Sequence, residues 1–321
     1  MRWGVLDRLV GEPELFFDQC RSGRPHVFTP PRLPQETPGT RELGAALSGG
    51  LMRTPYVEMV REGEVVPASE FSTTRVVAGR PEEGFADPEL IMRLLADGAT
   101  LLLPQLDQWN PSVGALTALL ARDLGRRTEA FCFATLAGRR GLDIHRDDAD
   151  VLVVQLAGRK EWTVYDAPAD GHWHPGPASP PGEPALRTVI GAGDVLYVPR
   201  GAPHTATGDE GLSVHLALTV REASTSRLRQ TLAELLTDPT VGLPEAEDDV
   251  ESQDETDHEL APRPLTAHQL METTRALLET AQRRLGAVTA EKLLERARGP
   301  LPSTPGATPV EWPTADGPAG R

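Results

Sequence analysis

Cysteine is almost absent from this 321-residue chain: Cys20 and Cys132 are the only two. Two cysteines build neither a disulfide framework nor a Cys-rich zinc module. Aromatic residues make up 5% of the chain, and no apolar run approaches the ~20 residues needed to cross a bilayer. The N-terminal MRWGVLDRLVGEPELFF lacks an apolar signal core followed by a small-residue cleavage site, so a reducing cytoplasm and no membrane association are expected. Positive charge is scarce as well. Against 47 acidic residues stand 32 basic ones, a net charge of −15, which argues against broad nucleic-acid affinity and suits a basic protein or peptide partner. Lysine is the rarest cation, present only as Lys160 and Lys292 among 30 arginines. A lysine kept on that background draws attention to its compact point charge.

What is present is 39% hydrophobic residues, enough for a substantial core, with 30 Pro and 30 Gly gathered in loops and a tail. Residues 1–128 read as α/β. Helices are expected over VLDRLV, PELFFDQCRS, TRELGAALS, PELIMRLLAD and, opened by Asn110 and closed by Gly125, SVGALTALLARDLG. Extended pieces fall at Pro25–Pro30, through TPYVEMVREGEVVPASEF, and at ATLLLPQLDQW, read as a strand entering a loop. Residues 129–220 change to short β runs, with turns read at Gly158-Arg159, Gly191–Asp194 and Arg200–Pro203 and a Pro-rich loop over 166–186. Such spacing predicts an antiparallel sandwich or barrel. A helix follows at 221–239, then an acidic linker at 240–264; the stretch from Val241 to Pro262 holds nine acidic residues and no Lys or Arg. Amphipathic helices at 265–298 offer an apolar face for a homodimer, and 299–321 reads as a disordered tail.

The chemistry concentrates in His145-Arg146-Asp147. On a strand, residues i and i+2 point to one face about 6–7 Å apart, close enough for an imidazole and a carboxylate to grip one ion. A third ligand is at hand in His204, 57 positions after Asp147, where the turn-strand-turn GDVLYVPRGAPH launches a new strand. Two His and one carboxylate form the facial triad of non-haem Fe(II) oxygenases, with open positions for a bidentate cosubstrate and dioxygen. His172-Trp-His174 is a weaker HxH in the Pro-rich loop, and His26, His258 and His268 read as surface residues.

The order GATLLLPQLDQW, GLDIHRDDADVLVVQLAGRKEWTVY, GDVLYVPRGAPHTA, GLSVHLALTV resembles the JmjC-type 2-oxoglutarate oxygenases, in their bacterial ribosomal-oxygenase-like branch. The resemblance covers about residues 1–235. It implies a mainly β fold: a double-stranded β-helix (cupin-type jelly roll) with N-terminal α/β elements and a C-terminal helical dimerisation region. It implies Fe(II) held by His145, Asp147 and His204, and 2-oxoglutarate held by Lys160 with help from Thr219. Phe133 stands where those relatives tend to carry a tyrosine that reaches the cosubstrate. The expected activity is hydroxylation of a protein or peptide side chain, an Arg or His of a ribosomal protein or a natural-product precursor peptide. Alternative readings are a small-molecule hydroxylase and a metal-binding cupin without redox chemistry, serving as sensor or assembly module.

Overall fold

A computed structural model describes residues 4–168, 173–180, 182–223, 225–237 and 267–301. The expected 240–264 linker, nearly all of the 299–321 tail, and His172 and His258 therefore lie outside the described residues, as does the side chain of His268. The N-terminal part runs α1 (Val5–Val10), α2 (Pro13–Ser22), β1 (His26–Phe28), α3 (Thr40–Ser48), β2 (Glu58–Arg61), β3 (Glu64–Val65), β4 (Ser72–Val77), β5 (Arg80–Ala86), α4 (Pro88–Ala96), β6 (Thr100–Leu103), α5 (Leu106–Trp109) and α6 (Pro111–Leu124). The β-rich part follows as β7 (Thr128–Leu136), β8 (His145–Arg146), β9 (Ala149–Val164), β10 (Gly176–Pro177), β11 (Leu186–Gly191), β12 (Val195–Val198) and β13 (His204–Arg221). Last come α7 (Thr225–Thr237), α8 (Ala267–Ala287) and α9 (Ala290–Arg298). Contacts divide the chain into one unit through Glu222 and a second from Ala223 to Pro300. Among the described residues no helix is long and apolar enough to cross a membrane.

Helix boundaries follow local chemistry. The Asn110 side chain accepts from Val113 N–H at 3.0 Å to cap α6, whose other end closes on Gly125 in the left-handed region. Asp87 caps α4 in the same way, accepting from Glu89 and Leu90 N–H. The LDQW stretch after β6, expected as loop, forms the short helix α5.

Eleven strands join one antiparallel sheet through β1-β12-β9-β13-β7-β6-β2-β3, so the 1–128 part extends the same sheet as the jelly-roll strands. One expectation is corrected here. Gly158-Arg159 is not a turn between two strands; β9 runs unbroken through it for 16 residues, and β13 runs for 18. Each bends rather than ends, because the pairing of β9 with β13 shifts register between Gly208 and Val214.

Strand alternation builds two cores. Leu152 and Val154 of β9, Val195 and Tyr197 of β12, and Leu216 and Leu218 of β13 join the N-terminal helices in the larger cluster. Their neighbours Val151, Val153, Leu196, Val198 and Ala217 face the other way, into a smaller cluster with Trp162 and Ile190. That second face is where the cavity lies.

Candidate metal centre

β8 carries His145, Asp147 follows it, and β13 begins at His204, which is the direct cross-strand partner of His145. One ligand atom from each of the three lies within 4.8 Å of the others, the geometry that the HxD spacing predicts. Asp147 Oδ2 stands 3.6 Å from His204 Nε2, and Oδ1 stands 3.9 Å from His145 Nε2. Both imidazoles are held from behind. His145 Nδ1 meets the Asp143 carbonyl at 2.8 Å and His204 Nδ1 the Ala202 carbonyl at 3.0 Å. A carbonyl can only accept, so each Nδ1 carries the proton and each Nε2 presents its lone pair to the common point. Burial, reinforced by the neighbouring His145, pushes the His204 pKa down to about 4 despite the opposing pull of Asp147, which keeps its ring neutral and ligand-ready.

These groups open into a cavity of about 70 Å³ lined also by Phe133, Val151, Val153, Lys160, Trp162, Val198, His215 and Ala217. A water needs ~10–15 Å³ by that measure, so the space holds several waters or a small organic acid. Lys160 is 2% exposed and has no carboxylate partner among the described residues; its ammonium donates to Thr135 Oγ1 at 3.1 Å, which in turn lies 3.0 Å from Thr100 Oγ1. Burial lowers its pKa to about 8. A cation kept dry and without a counter-charge is costly, and an anion beside it would offset that cost.

The remaining expected residues divide. Phe133 lines the cavity and stacks on His215, with ring centroids 5.0 Å apart and planes at 9°. Thr219 shares a strand face with His215 and Ala217 but stands outside the cavity lining, its hydroxyl 3.4 Å from the Glu129 carbonyl. His174 is not in the cavity; its neighbour Trp173 lies under the Arg200 guanidinium. His215 and Trp162 were not singled out as site residues from the sequence. The signal for them was the alternation along SVHLALTV and KEW, which puts them on the inward face with Ala217 and Lys160.

Residues 112–228 match the JmjC domain family. The chain carries a JmjC domain. It is 32% identical over 189 residues to ribosomal oxygenase 1 of Rattus norvegicus, an alignment covering 55% of this chain and 32% of that protein. It is likewise 32% identical over 143 residues to the bifunctional lysine-specific demethylase and histidyl-hydroxylase NO66 of Dictyostelium discoideum, covering 42% and 28%. The chain thus spans about a third of the length of the curated relatives it matches. The X-ray structure of Escherichia coli ycfD shares the fold, with a TM-score of 0.50 at 18% identity over 85% of this chain and 70% of that one. The JmjC match contains all three candidate ligands together with Lys160, Trp162 and His215.

Proposed function

We propose that the JmjC domain is an Fe(II)- and 2-oxoglutarate-dependent hydroxylase acting on a protein or peptide side chain. One observation carries this reading: a His-Asp-His cluster shares its cavity with a buried ammonium that has no carboxylate partner among the described residues. The donor set suits ferrous iron. Lys160 suits the carboxylate of a keto acid far from the metal. With iron and 2-oxoglutarate bound, the site supplies decarboxylation of the keto acid coupled to oxygen insertion into a substrate C–H bond.

The chain's own residues bind, orient and exclude water. His145, Asp147 and His204 would hold the ion, the two imidazoles in tautomers that the backbone carbonyls of Asp143 and Ala202 already fix. Lys160, pinned by Thr135, would fix one end of the cosubstrate. Phe133, Val151, Val153, Val198 and Ala217 supply apolar wall. Thr219 enters as a neighbour of this site and Phe133 as its apolar side.

The class of substrate follows from the relatives' names, ribosomal oxygenase and histidyl-hydroxylase, and the net charge of −15 favours a basic partner by electrostatic steering in the cytoplasm. Incubating iron-loaded protein with 2-oxoglutarate and ribosomal-protein peptides should release succinate and add one oxygen mass to a peptide. Asp147→Ala should bind Mn(II) at least ~10-fold more weakly and release no succinate. Unchanged succinate release in that variant refutes the ligand assignment. Metal binding by the native protein with no 2-oxoglutarate binding selects the non-redox cupin reading instead.

We also propose a homodimer through the C-terminal helices. Leu278 and Leu285, seven residues apart on α8 and so on one face, are 59% and 52% exposed within that unit. The double substitution Leu278→Glu, Leu285→Glu should halve the mass measured by light scattering; an unaltered dimer rejects that surface.

A further inference from the structure

Two residues of the cavity wall each carry a buried polar atom with no partner among the described residues. Trp162 Nε1 and His215 Nδ1 are both buried and meet no hydrogen-bonding group, although their side chains line the same space as Lys160. Such orphaned atoms are rare in folded proteins and ask what would satisfy them. The indole N–H can only donate. His215 differs from the two candidate ligand histidines in one respect: their Nδ1 atoms are committed to backbone carbonyls, whereas its own Nδ1 is not. Its ring is free to carry its proton on whichever nitrogen a ligand requires.

The rings are fixed in place all the same. Phe133 and His215 are cross-strand partners on β7 and β13, which is why they stack. Trp162 also meets the imidazole edge-to-face, with centroids 5.4 Å apart and planes at 78°. Trp162 also follows Lys160 by two positions on β9, on the same strand face. Burial, together with Lys160 and His204, keeps the imidazole neutral, so it offers a donor without adding a second positive charge.

The counting of donors then points one way. An ammonium has three N–H groups and a carboxylate about four acceptor sites. One Lys160 N–H already goes to Thr135. Among the described residues the only carboxylate in the cavity wall is Asp147, which the metal would claim. We propose that His215 and Trp162 are carboxylate-binding residues, forming with Lys160 a three-donor cradle for one end of the keto acid. This rests on the 2-oxoglutarate reading of the cavity and adds the residues that would set its affinity.

Calorimetric titration of 2-oxoglutarate into the Mn(II)-loaded full-length protein tests it without turnover. His215→Phe keeps an aromatic ring against Phe133 and removes the nitrogens; it should weaken binding about 10- to 100-fold, the range for a hydrogen bond to a charged group. His215→Asn, which returns an amide N–H near the Nδ1 position, should recover most of that loss. Trp162→Phe should weaken binding at least several-fold, and it carries the test if His215→Phe does not fold. Mn(II) affinity should stay within about twofold in all three. Binding within twofold of native in His215→Phe or Trp162→Phe, while Lys160→Met still abolishes it, overturns the cradle and leaves the keto-acid reading standing. A loss in His215→Phe that Asn does not recover assigns shape rather than hydrogen bonding and also overturns it. If the native metal-loaded protein does not bind 2-oxoglutarate, both readings fall together.

Discussion

Lys160→Met is expected to lose 2-oxoglutarate binding by at least ~100-fold while making the ligand-free protein more stable. The two effects have one origin. The ammonium is 2% exposed, its one hydrogen-bond partner among the described residues is the Thr135 hydroxyl, and burial lowers its pKa from 10.5 to about 8. A lowering of that size means that holding the charge there costs roughly 3 kcal/mol. Methionine fills a similar volume without charge, and Thr135 retains Thr100 as a partner. The gain should appear as a rise in Tm of roughly 5–10 °C for a unit of this size. The sign with pH is fixed by the direction of the shift. Between about pH 8 and 10.5 the unfolded chain holds more protons than the folded one, so native stability climbs with pH through that window. The advantage of Met is therefore full below pH 8 and shrinks above it. Ligand affinity runs in the opposite sense. The dicarboxylate binds the charged lysine, so affinity is level below about pH 8 and falls above it, by up to ~10-fold per unit. A Lys160→Met protein less stable than native at pH 7, or a native affinity that strengthens above pH 8, would falsify the assignment of Lys160 as a strained anion receptor.

That residue was also the most legible one. It is one of two lysines in an arginine-rich chain and follows an HxD pair, which marks it out in the sequence. The candidate metal cluster was legible for a related reason: period-two spacing on a strand turns sequence order directly into shared facing, and the side chains of His145, Asp147 and His204 do converge. Helices α1, α2, α3, α4 and α6 were readable because their apolar spacing and end residues agree, as with Asn110 and Gly125 around α6. What the sequence hid depended on tertiary partners. The β4–β5 hairpin carries Pro81 and a mostly half-exposed, charged face, and its turn places Ala78 as well as Gly79 at positive φ, a conformation alanine does not advertise. The stack of His215 on Phe133 depends on which residues face each other between β7 and β13, a register that local pattern does not supply. The reading of Gly158 as a turn failed for the same reason. A glycine at positive φ serves a turn or a bulge equally well, and only the neighbouring strand decides between them.

Gly158→Ala should accordingly be among the most damaging single substitutions in the chain, although it adds one methyl group. Gly158 has φ +64, and a Cβ there would stand 2.3 Å from the Leu212 carbonyl oxygen. Left-handed backbone costs a non-glycine residue roughly 1–2 kcal/mol. The contact is with backbone, so relief requires β9 or β13 to move at the point where Glu210 pairs with Arg159 and Val214 with Ala157. Together these predict a loss of about 3–5 kcal/mol and a fall in Tm of roughly 10 °C or more. Gly79→Ala is the matched control: φ is +79, yet nothing lies within 4 Å of the added carbon, so only the backbone cost of ~1–2 kcal/mol applies. The consequence also reaches the cavity. Lys160 and Trp162 follow Gly158 by two and four residues on the same strand, whereas His145 and Asp147 are on and just after β8. A displaced β9 should therefore weaken 2-oxoglutarate binding more than Mn(II) binding in whatever fraction of Gly158→Ala protein remains folded. Equal melting temperatures for the Gly158 and Gly79 variants would show that the strand crossing yields easily, and that the bend is not what holds the cavity wall in register.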